Sequence, residues 1–249
     1  MAILVFAVAY GSANGFGQDE VEALGSKLIQ ELIKQREAWT SEVSTPGASI
    51  RVKEVGREES LVRYNLYVSG LPTDRVYTVL TWPIDRRMPY VLLEGVSIGK
   101  DGMLMCSGRL QDECDDPSPD NHGVVDFAFR SEKGEPNRLA LVASDLRVTV
   151  VIVPNPITAK DKACTLSVER LTPRFEAAYL IGSGYDPNTN ITVDSSSYEE
   201  RHAIQTMADS DGNIRFGIMP FVAGHATGTL YIKAIGSRCS PSMKFDWGR

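Results

Sequence analysis

One short motif in the chain could present a serine nucleophile. Gly95-Val96-Ser97-Ile98-Gly99 fits the pattern Gly-x-Ser-x-Gly, in which a sharp turn exposes the serine hydroxyl between a strand and a helix. A turn-forming stretch, Lys100-Asp101-Gly102, follows here instead of a helical pattern, and the three histidines of the chain stand in unrelated contexts. We therefore expect no enzymatic activity, with a hydrolase that uses Ser97 as nucleophile as the less favoured alternative.

Two acidic stretches carry the oxygen ligands that Ca²⁺ prefers. Residues 209–213 start like a calcium-binding loop, but its twelfth position is Pro220 rather than glutamate, so we predict a hairpin turn there. The other stretch, residues 111–121, either forms a weak calcium site or is a solvated charged loop. Its candidate ligands are Asp112, Asp115, Asp116 and Asp120. No other cofactor is expected.

Aromatic and basic side chains occur together in residues 82–90, WPIDRRMPY. Exposed aromatic rings beside arginines are typical of surfaces that bind sugars or peptides, so Trp82, Arg86, Arg87 and Tyr90 are candidate binding residues. Alternatively, Trp82 is a core or sheet-edge residue and the arginines belong to a solvated loop. A carbohydrate-binding module would present a planar row of exposed rings, such as Trp82, Tyr90 and Tyr77.

One amphipathic helix is predicted over residues 19–39, within a helix-and-linker segment that spans 18–47. Apolar residues recur at three-, four- and seven-residue steps, and Asp19 is a suitable N-cap. The stripe consists of Val21, Leu24, Leu28, Leu32 and Trp39, joined by Ile29 and Ile33. We expect this stripe to pack on the first domain that follows; an acidic polar face disfavours binding to anionic lipid.

The rest of the chain alternates between apolar and polar residues with period two, which predicts antiparallel strands. Two runs of such segments, 48–158 and 163–249, are separated by Pro154-Asn155-Pro156 and a predicted linker at residues 157–162. In the first run, strands are predicted at residues 61–68, 76–82, 90–98, 103–107, 124–130 and 139–153. In the second, they are predicted at residues 165–170, 176–181, 190–196, 203–208, 213–218, 228–235 and 243–247. Strands do not alternate with helices, so a parallel α/β sheet is excluded.

The two runs share an internal pattern of turn residues. Each contains a strand that ends in Ser-Gly, then a proline, another strand, and an Asp-Gly pair. The first copy has Ser69-Gly70, Pro72 and Asp101-Gly102, and the second has Ser183-Gly184, Pro187 and Asp211-Gly212. The spacing differs by a few residues, so the pattern suggests a tandem repeat without proving one.

The N-terminal residues 1–17, MAILVFAVAYGSANGFG, combine a short apolar run with small residues after it. This composition predicts a secretory signal peptide, although no Lys or Arg precedes the run; the alternative is a buried N-terminal strand. No other segment approaches 18 apolar residues, so no transmembrane span is expected. The net charge of −6 makes nucleic acid a poor partner. We expect a secreted or periplasmic protein.

Export would favour disulfide formation among the four cysteines, which allow three pairings. We favour Cys106–Cys114 and Cys164–Cys239 because each pair then lies within one predicted domain. Four free thiols in a cytosolic protein are the alternative. The chain contains no Cys-x-x-Cys pair, which disfavours zinc.

The second run resembles the immunoglobulin-like domains of bacterial secreted proteins, clearly over about residues 163–249 and weakly over 48–154. The matching residues are Gly182, Gly184, Tyr185, Pro187, Ile191, Val193, Asp209, Asp211 and Gly212. The resemblance implies an all-β fold: two tandem immunoglobulin-like β-sandwiches preceded by one amphipathic N-terminal helix. It also implies a non-catalytic binding, adhesion or structural module whose partner is an unidentified protein or glycan surface, with a carbohydrate-binding module as the alternative. No site residues carry over from it.

Overall fold

The computed structural model describes residues 3–5, 18–41, 45–59, 61–106, 123–222 and 224–248. Their one helix is α1 (Gln18–Ser41), and all other regular elements are strands, which confirms the all-β fold with a single helix. In chain order the strands are β1 (Ile3–Val5), β2 (Ser49–Glu58), β3 (Leu61–Ser69), β4 (Tyr77–Thr81), β5 (Tyr90–Ile98), β6 (Leu104–Cys106), β7 (Phe127–Arg130), β8 (Asn137–Ala143), β9 (Leu146–Ile152), β10 (Ile157–Asp161), β11 (Cys164–Arg170), β12 (Ala178–Ser183), β13 (Asn190–Ser197), β14 (Glu200–Met207), β15 (Ile214–Met219), β16 (Gly228–Ile235) and β17 (Ser242–Trp247).

Buried and more exposed side chains alternate along many of these strands. In β11 every second side chain, from Cys164 to Arg170, is buried, because successive side chains of a strand point to opposite faces. The same alternation runs through β17. The segment predicted as one strand over residues 139–153 is instead two, β8 and β9, joined at Ser144 in a left-handed conformation (φ 49°).

The chain divides into two compact units. We call Arg36–Asn155 the first sandwich, and Met1–Gln35 together with Pro156–Arg249 the second sandwich. The prediction of a linker at residues 157–162 is wrong, because residues 157–161 form β10 and pair with β11. The prolines at positions 154 and 156 end the preceding pattern, and the alternation then resumes at once.

The first sandwich has two antiparallel sheets, in the orders β2-β3-β7 and β6-β5-β4-β8-β9. Their inner faces share one core, with buried side chains from both sheets. Core residues include Val62, Leu66, Tyr77, Val79, Val96, Phe127, Leu139 and Leu141.

The second sandwich has the sheet orders β1-β15-β12-β11-β10 and β14-β13-β16-β17. Its core includes Leu166, Leu180, Phe216, Val193, Leu230 and Phe245. The predicted Cys164–Cys239 disulfide is confirmed; its Cα atoms are 6.0 Å apart, and it ties the start of β11 to the turn before β17. The short strand β1 pairs in parallel with β15, with Ile3 opposite Gly217. The remainder of residues 1–17 lies outside the described residues, so the signal peptide stays a prediction.

The two sandwiches share a strand order. The sets β2-β3-β7 and β11-β12-β15 correspond, as do β5-β4-β8-β9 and β14-β13-β16-β17. Each sandwich thus combines a three-strand set in one sheet with a four-strand set in the other. In the first sandwich β6 adds a strand beside β5, and in the second β10 and β1 extend the other sheet.

The same turns recur at corresponding places. Gly70 follows β3 and Gly184 follows β12, both with left-handed φ (77° and 83°). Each glycine lies close to the backbone that precedes the neighbouring strand: Gly70 to Gly47 before β2, and Gly184 to Ala163 before β11. A Cβ atom at either glycine would overlap the carbonyl oxygen there. Only glycine meets both requirements without strain.

The helix buries part of the predicted stripe, namely Ile29, Ile33 and Trp39. Ile29 and Ile33 are buried against Leu171, Ala177 and Tyr179 of the second sandwich. Leu28, assigned to the stripe, is 60% exposed. The predicted packing on the first sandwich holds for Trp39, which belongs to that unit, and is wrong for Ile29 and Ile33. The side chains of Val21 and Leu24 lie outside the described part.

Candidate binding surface

Trp82 is a core residue of the first sandwich, which corrects its prediction as an exposed binding aromatic. Strand β4 ends at Thr81, and the side chain of Trp82 that follows is only 8% exposed. It is buried in a small cluster with Trp39 and Ala140, separate from the main core of the first sandwich. Trp39 meets it edge to face, with ring centroids 5.5 Å apart. The indole Nε1–H of Trp82 donates a hydrogen bond to the carbonyl oxygen of Arg86 (3.0 Å). This bond connects the buried ring to the loop above it.

Arginines flank both tryptophan rings. The Arg36 guanidinium lies 4.1 Å from the ring centroid of Trp82, and that of Arg147 lies 4.1 Å from the ring centroid of Trp39. Burial, helped by the nearby charge of Arg138, lowers the pKa of Arg36 to about 10, and burial also lowers the pKa of Arg147. Cation–π contacts offset part of the cost of removing these charges from water.

Arg86, Arg87 and Tyr90 are exposed, as a binding surface requires. The Arg86 guanidinium lies 5.9 Å from the ring centroid of Tyr90, and its Nε is 4.0 Å from the carboxylate of Asp85. The structure therefore brings Arg86 and Tyr90 together at the surface. The hydrogen bond from Trp82 to the carbonyl oxygen of Arg86 connects the buried indole to this pair.

The carbohydrate-binding row expected from Trp82, Tyr90 and Tyr77 does not form. Tyr77 is buried in the core of the first sandwich, and its hydroxyl donates to the carbonyl oxygen of Pro72 (2.6 Å). Of the three rings only that of Tyr90 is exposed, so this group offers no flat aromatic surface.

Sequence reasoning missed the apolar residues around Tyr90. Met88, Val91 and Leu92 are large apolar side chains that remain exposed. The run Tyr90-Val91-Leu92-Leu93 is continuously apolar, and this departure from strict alternation on a strand was the available indication. We call residues 86–92 the β5 edge.

The backbone of the β5 edge is open on one side among the described strands. On its inner side β5 pairs with β4, with Tyr90 opposite Thr81 and Val91 opposite Leu80. On its outer side β6 pairs with β5 only over residues 96–98. The pairing of β5 with β4 shifts register twice, between Val91 and Leu93 and between Leu93 and Val96, and Gly95 in the second of these irregularities has φ 71°. No described strand covers residues 90–94 on the outer side.

The calcium prediction falls outside the described residues. Asp112, Asp115, Asp116 and Asp120 belong to residues 107–122, as does Cys114, so both the calcium site and the Cys106–Cys114 bond stay predictions. Within the described ranges, no group of three or more His, Cys, Asp or Glu side chains is arranged to hold a metal ion.

The two remaining motifs form ordinary strand and turn structures. Ser97 lies inside β5, which continues to Ile98, and its hydroxyl donates to the carbonyl oxygen of Met105 (3.4 Å). It therefore lacks the strand–turn–helix setting of a nucleophile elbow. Asp209 lies in the turn between β14 and β15, where its Oδ1 accepts hydrogen bonds from the amides of Asp211 (2.9 Å) and Asn213 (2.8 Å). These bonds lower the pKa of Asp209.

No model of a known protein family matches this chain, and no curated protein matches it by sequence. In the part of the chain that the structure describes, no helix is long and apolar enough to cross a bilayer.

Proposed function

We propose that this chain is an exported, non-catalytic, immunoglobulin-like binding module that recognises an extended, acidic segment of a partner protein along the β5 edge. The observation that carries the proposal is the exposed apolar run at Tyr90, Val91 and Leu92, on a strand with one side open among the described strands. Soluble proteins usually protect such edges with charged side chains, bulges or covering loops, because an open edge pairs readily with another chain.

Strand addition would use both the backbone and the side chains of this edge. An added strand satisfies the open backbone groups, and pockets for alternate side chains then give specificity. The exposed Arg86 and Arg87 at the start of the edge supply positive charge, which favours carboxylates in the partner. The buried arginines beneath, Arg36 and Arg147, add to the same positive field.

Two features support export, and two others support a repeated architecture. The apolar run of residues 1–17 fits a signal peptide, and the Cys164–Cys239 disulfide suits an oxidising compartment, so we place the protein outside the cytosol, secreted or in a periplasm. The shared strand order and the matching turns at Gly70 and Gly184 support a tandem repeat of one domain.

A peptide-display selection on the full chain tests the edge. We expect enriched peptides to alternate apolar residues with Asp or Glu. Val91→Asp should weaken their binding by about tenfold or more, because a carboxylate in the contact repels the peptide and is costly to desolvate. The matched control is Val55→Asp: Val55 lies on edge strand β2 of the opposite sheet and is also 48% exposed.

The charge component is tested separately. Arg87→Gln should weaken binding at low salt and reduce its dependence on ionic strength, because an exposed charge acts through screened attraction. Enriched peptides that bind the Val91→Asp and Val55→Asp variants equally would place the contact elsewhere. A selection that yields no peptide dependent on the β5 edge would contradict the proposal as a whole.

A further inference from the structure

A strained tyrosine stands at the hairpin between β13 and β14 of the second sandwich. Tyr198 has φ 51°, in the left-handed region that glycine adopts freely and bulky side chains rarely do. Such a residue costs about 1–2 kcal/mol relative to glycine. The turn itself does not need an aromatic ring, so the side chain must be explained by what it contacts.

Three contacts hold the ring of Tyr198 in one orientation. Its hydroxyl donates to the carbonyl oxygen of Thr227 (2.6 Å), and the His225 ring stacks on it with centroids 3.7 Å apart and planes 19° apart. The buried ring of Trp247 meets it edge-on at 6.4 Å. The tyrosine is nevertheless 54% exposed. A rigid, exposed aromatic ring is a preorganised surface for a ligand.

A cavity of about 350 Å³ lies beside this ring, lined by Tyr198, Thr227, Gly228 and Thr229. That volume is at the small end of the range for small-molecule sites. At Gly228 a Cβ atom would lie 2.6 Å from Cζ2 of Trp247 and 2.8 Å from Cε2 of Tyr198, so the backbone passes flush against both rings. The cavity thus combines an aromatic wall with hydroxyl and backbone groups.

The lining side chains contribute hydroxyl groups, and carboxylates stand next to them. The Thr229 hydroxyl donates to the carboxylate of Asp246 (2.7 Å), and Glu199 and Glu200 follow Tyr198 directly in the chain. Among the described residues that line the cavity, none is Lys or Arg. Phosphate, sulfate and nucleic acid are therefore disfavoured, whereas carboxylate and carbonyl oxygens suit a ligand that donates hydrogen bonds from hydroxyls.

We propose that this cavity binds a neutral sugar ring, whose apolar face packs on the ring of Tyr198 while its hydroxyls bond to the threonine hydroxyls and the neighbouring carboxylate oxygens. A single ring suits the volume, and one exposed aromatic stack supplies one binding subsite. This site lies in the second sandwich and is independent of the peptide binding proposed for the β5 edge.

Saturation-transfer NMR on the full chain tests the site, with the methyl glycosides of glucose, galactose, mannose and N-acetylglucosamine as probes, and choline as a cationic comparison. We expect transfer to the ring protons of at least one sugar at millimolar concentration. Tyr198→Ala should weaken that binding by about tenfold or more, because the aromatic wall is lost. Met207→Ala, which removes an exposed apolar side chain from the far end of β14, should leave it unchanged.

Two further variants keep the test decisive. Tyr198→Gly suits the left-handed backbone and replaces the alanine variant if that one fails to fold. Tyr198→Phe retains the ring and should keep most of the binding. The proposal is overturned if none of the four sugars shows transfer, if only choline does, or if Tyr198→Ala and Tyr198→Gly bind as the wild type does. Loss of sugar binding with intact β5-edge peptide binding would separate the two proposals.

Discussion

Replacing Trp82 by alanine should destabilise the first sandwich severely, although this residue first stood out as a candidate for surface recognition. The ring is 8% exposed, and a buried tryptophan removes about 200 Å² from water, worth about 5 kcal/mol as an upper bound. The edge-to-face contact with Trp39 and the hydrogen bond to Arg86 are lost as well. We expect a decrease of about 3–5 kcal/mol in the free energy of unfolding, the usual range for such truncations.

The distribution of tryptophans makes this effect measurable. The chain has three, of which Trp39 and Trp82 belong to the first sandwich and Trp247 to the second. In a guanidinium titration of Trp82→Ala, the transition reported by Trp39 should move to lower denaturant. Tyr90→Ala is the control, because its ring is exposed and its loss should change the free energy by at most about 0.5 kcal/mol. A Trp82→Ala variant as stable as the wild type would refute the packing argument.

Three further predictions concern charge and backbone. Arg36→Met should raise stability at neutral pH, because the lowered pKa of Arg36 means that folding is penalised at every pH below about 10; a lower thermal midpoint would contradict this. Gly184→Ala should cost at least about 2 kcal/mol, since its φ is left-handed and its Cβ would overlap the carbonyl oxygen of Ala163; an unchanged urea midpoint would count against it. The hydrogen-bonded carboxylate of Asp209 has a lowered pKa, so its stabilisation is present above the ordinary carboxyl pKa and is lost as pH falls through the folded-state value. Asp209→Asn should therefore lower the melting temperature at pH 7 and flatten its acid-induced decline, and parallel pH profiles would show that the turn does not depend on the charge.

The strands could be read from the sequence because burial of one face imposes a period of two. Strands β5 and β16 have the predicted bounds, residues 90–98 and 228–235, and most others differ by one to three residues. The strand β2 was missed, since Arg51, Lys53, Glu54 and Arg57 leave it little apolar alternation. An edge strand with mostly half-exposed or exposed side chains carries a weak pattern.

The helix shows where periodicity stops being informative. Leu28 and Ile29 are adjacent, both apolar, and either could start a stripe with period 3.6. Only the tertiary contacts decide, and they bury Ile29 with Ile33 one turn later. The continuation of this stripe at Arg36 is charged, and a buried arginine stacked on a tryptophan has no signature in a hydropathy pattern.

The candidate sites differ in whether their residues are neighbours in the sequence or are brought together only by the fold. Arg86, Arg87 and Tyr90 could be found because their residue types cluster within a few positions, whereas Tyr198, His225 and Thr229 come together only because β13 pairs with β16 in one sheet. The position of Trp82 could not be inferred, since the ring that covers it comes from the helix at Trp39, 43 residues earlier by number.

The glycine turns explain why the same turn residues recur in the two sandwiches. A core position accepts several apolar residues of similar volume, so two copies of a sandwich can differ at nearly every strand position. Gly70 and Gly184 have no such freedom, because each combines a left-handed φ with backbone contact where a Cβ would lie. The Asp-Gly turns are constrained in the same way: the carbonyl of Gly102 accepts from the amide of Val68 (2.7 Å), and that of Gly212 accepts from the amide of Tyr185 (3.1 Å). The strand order that the two sandwiches share is therefore marked in the sequence at the turns, where few residue types are accepted, and not along the strands.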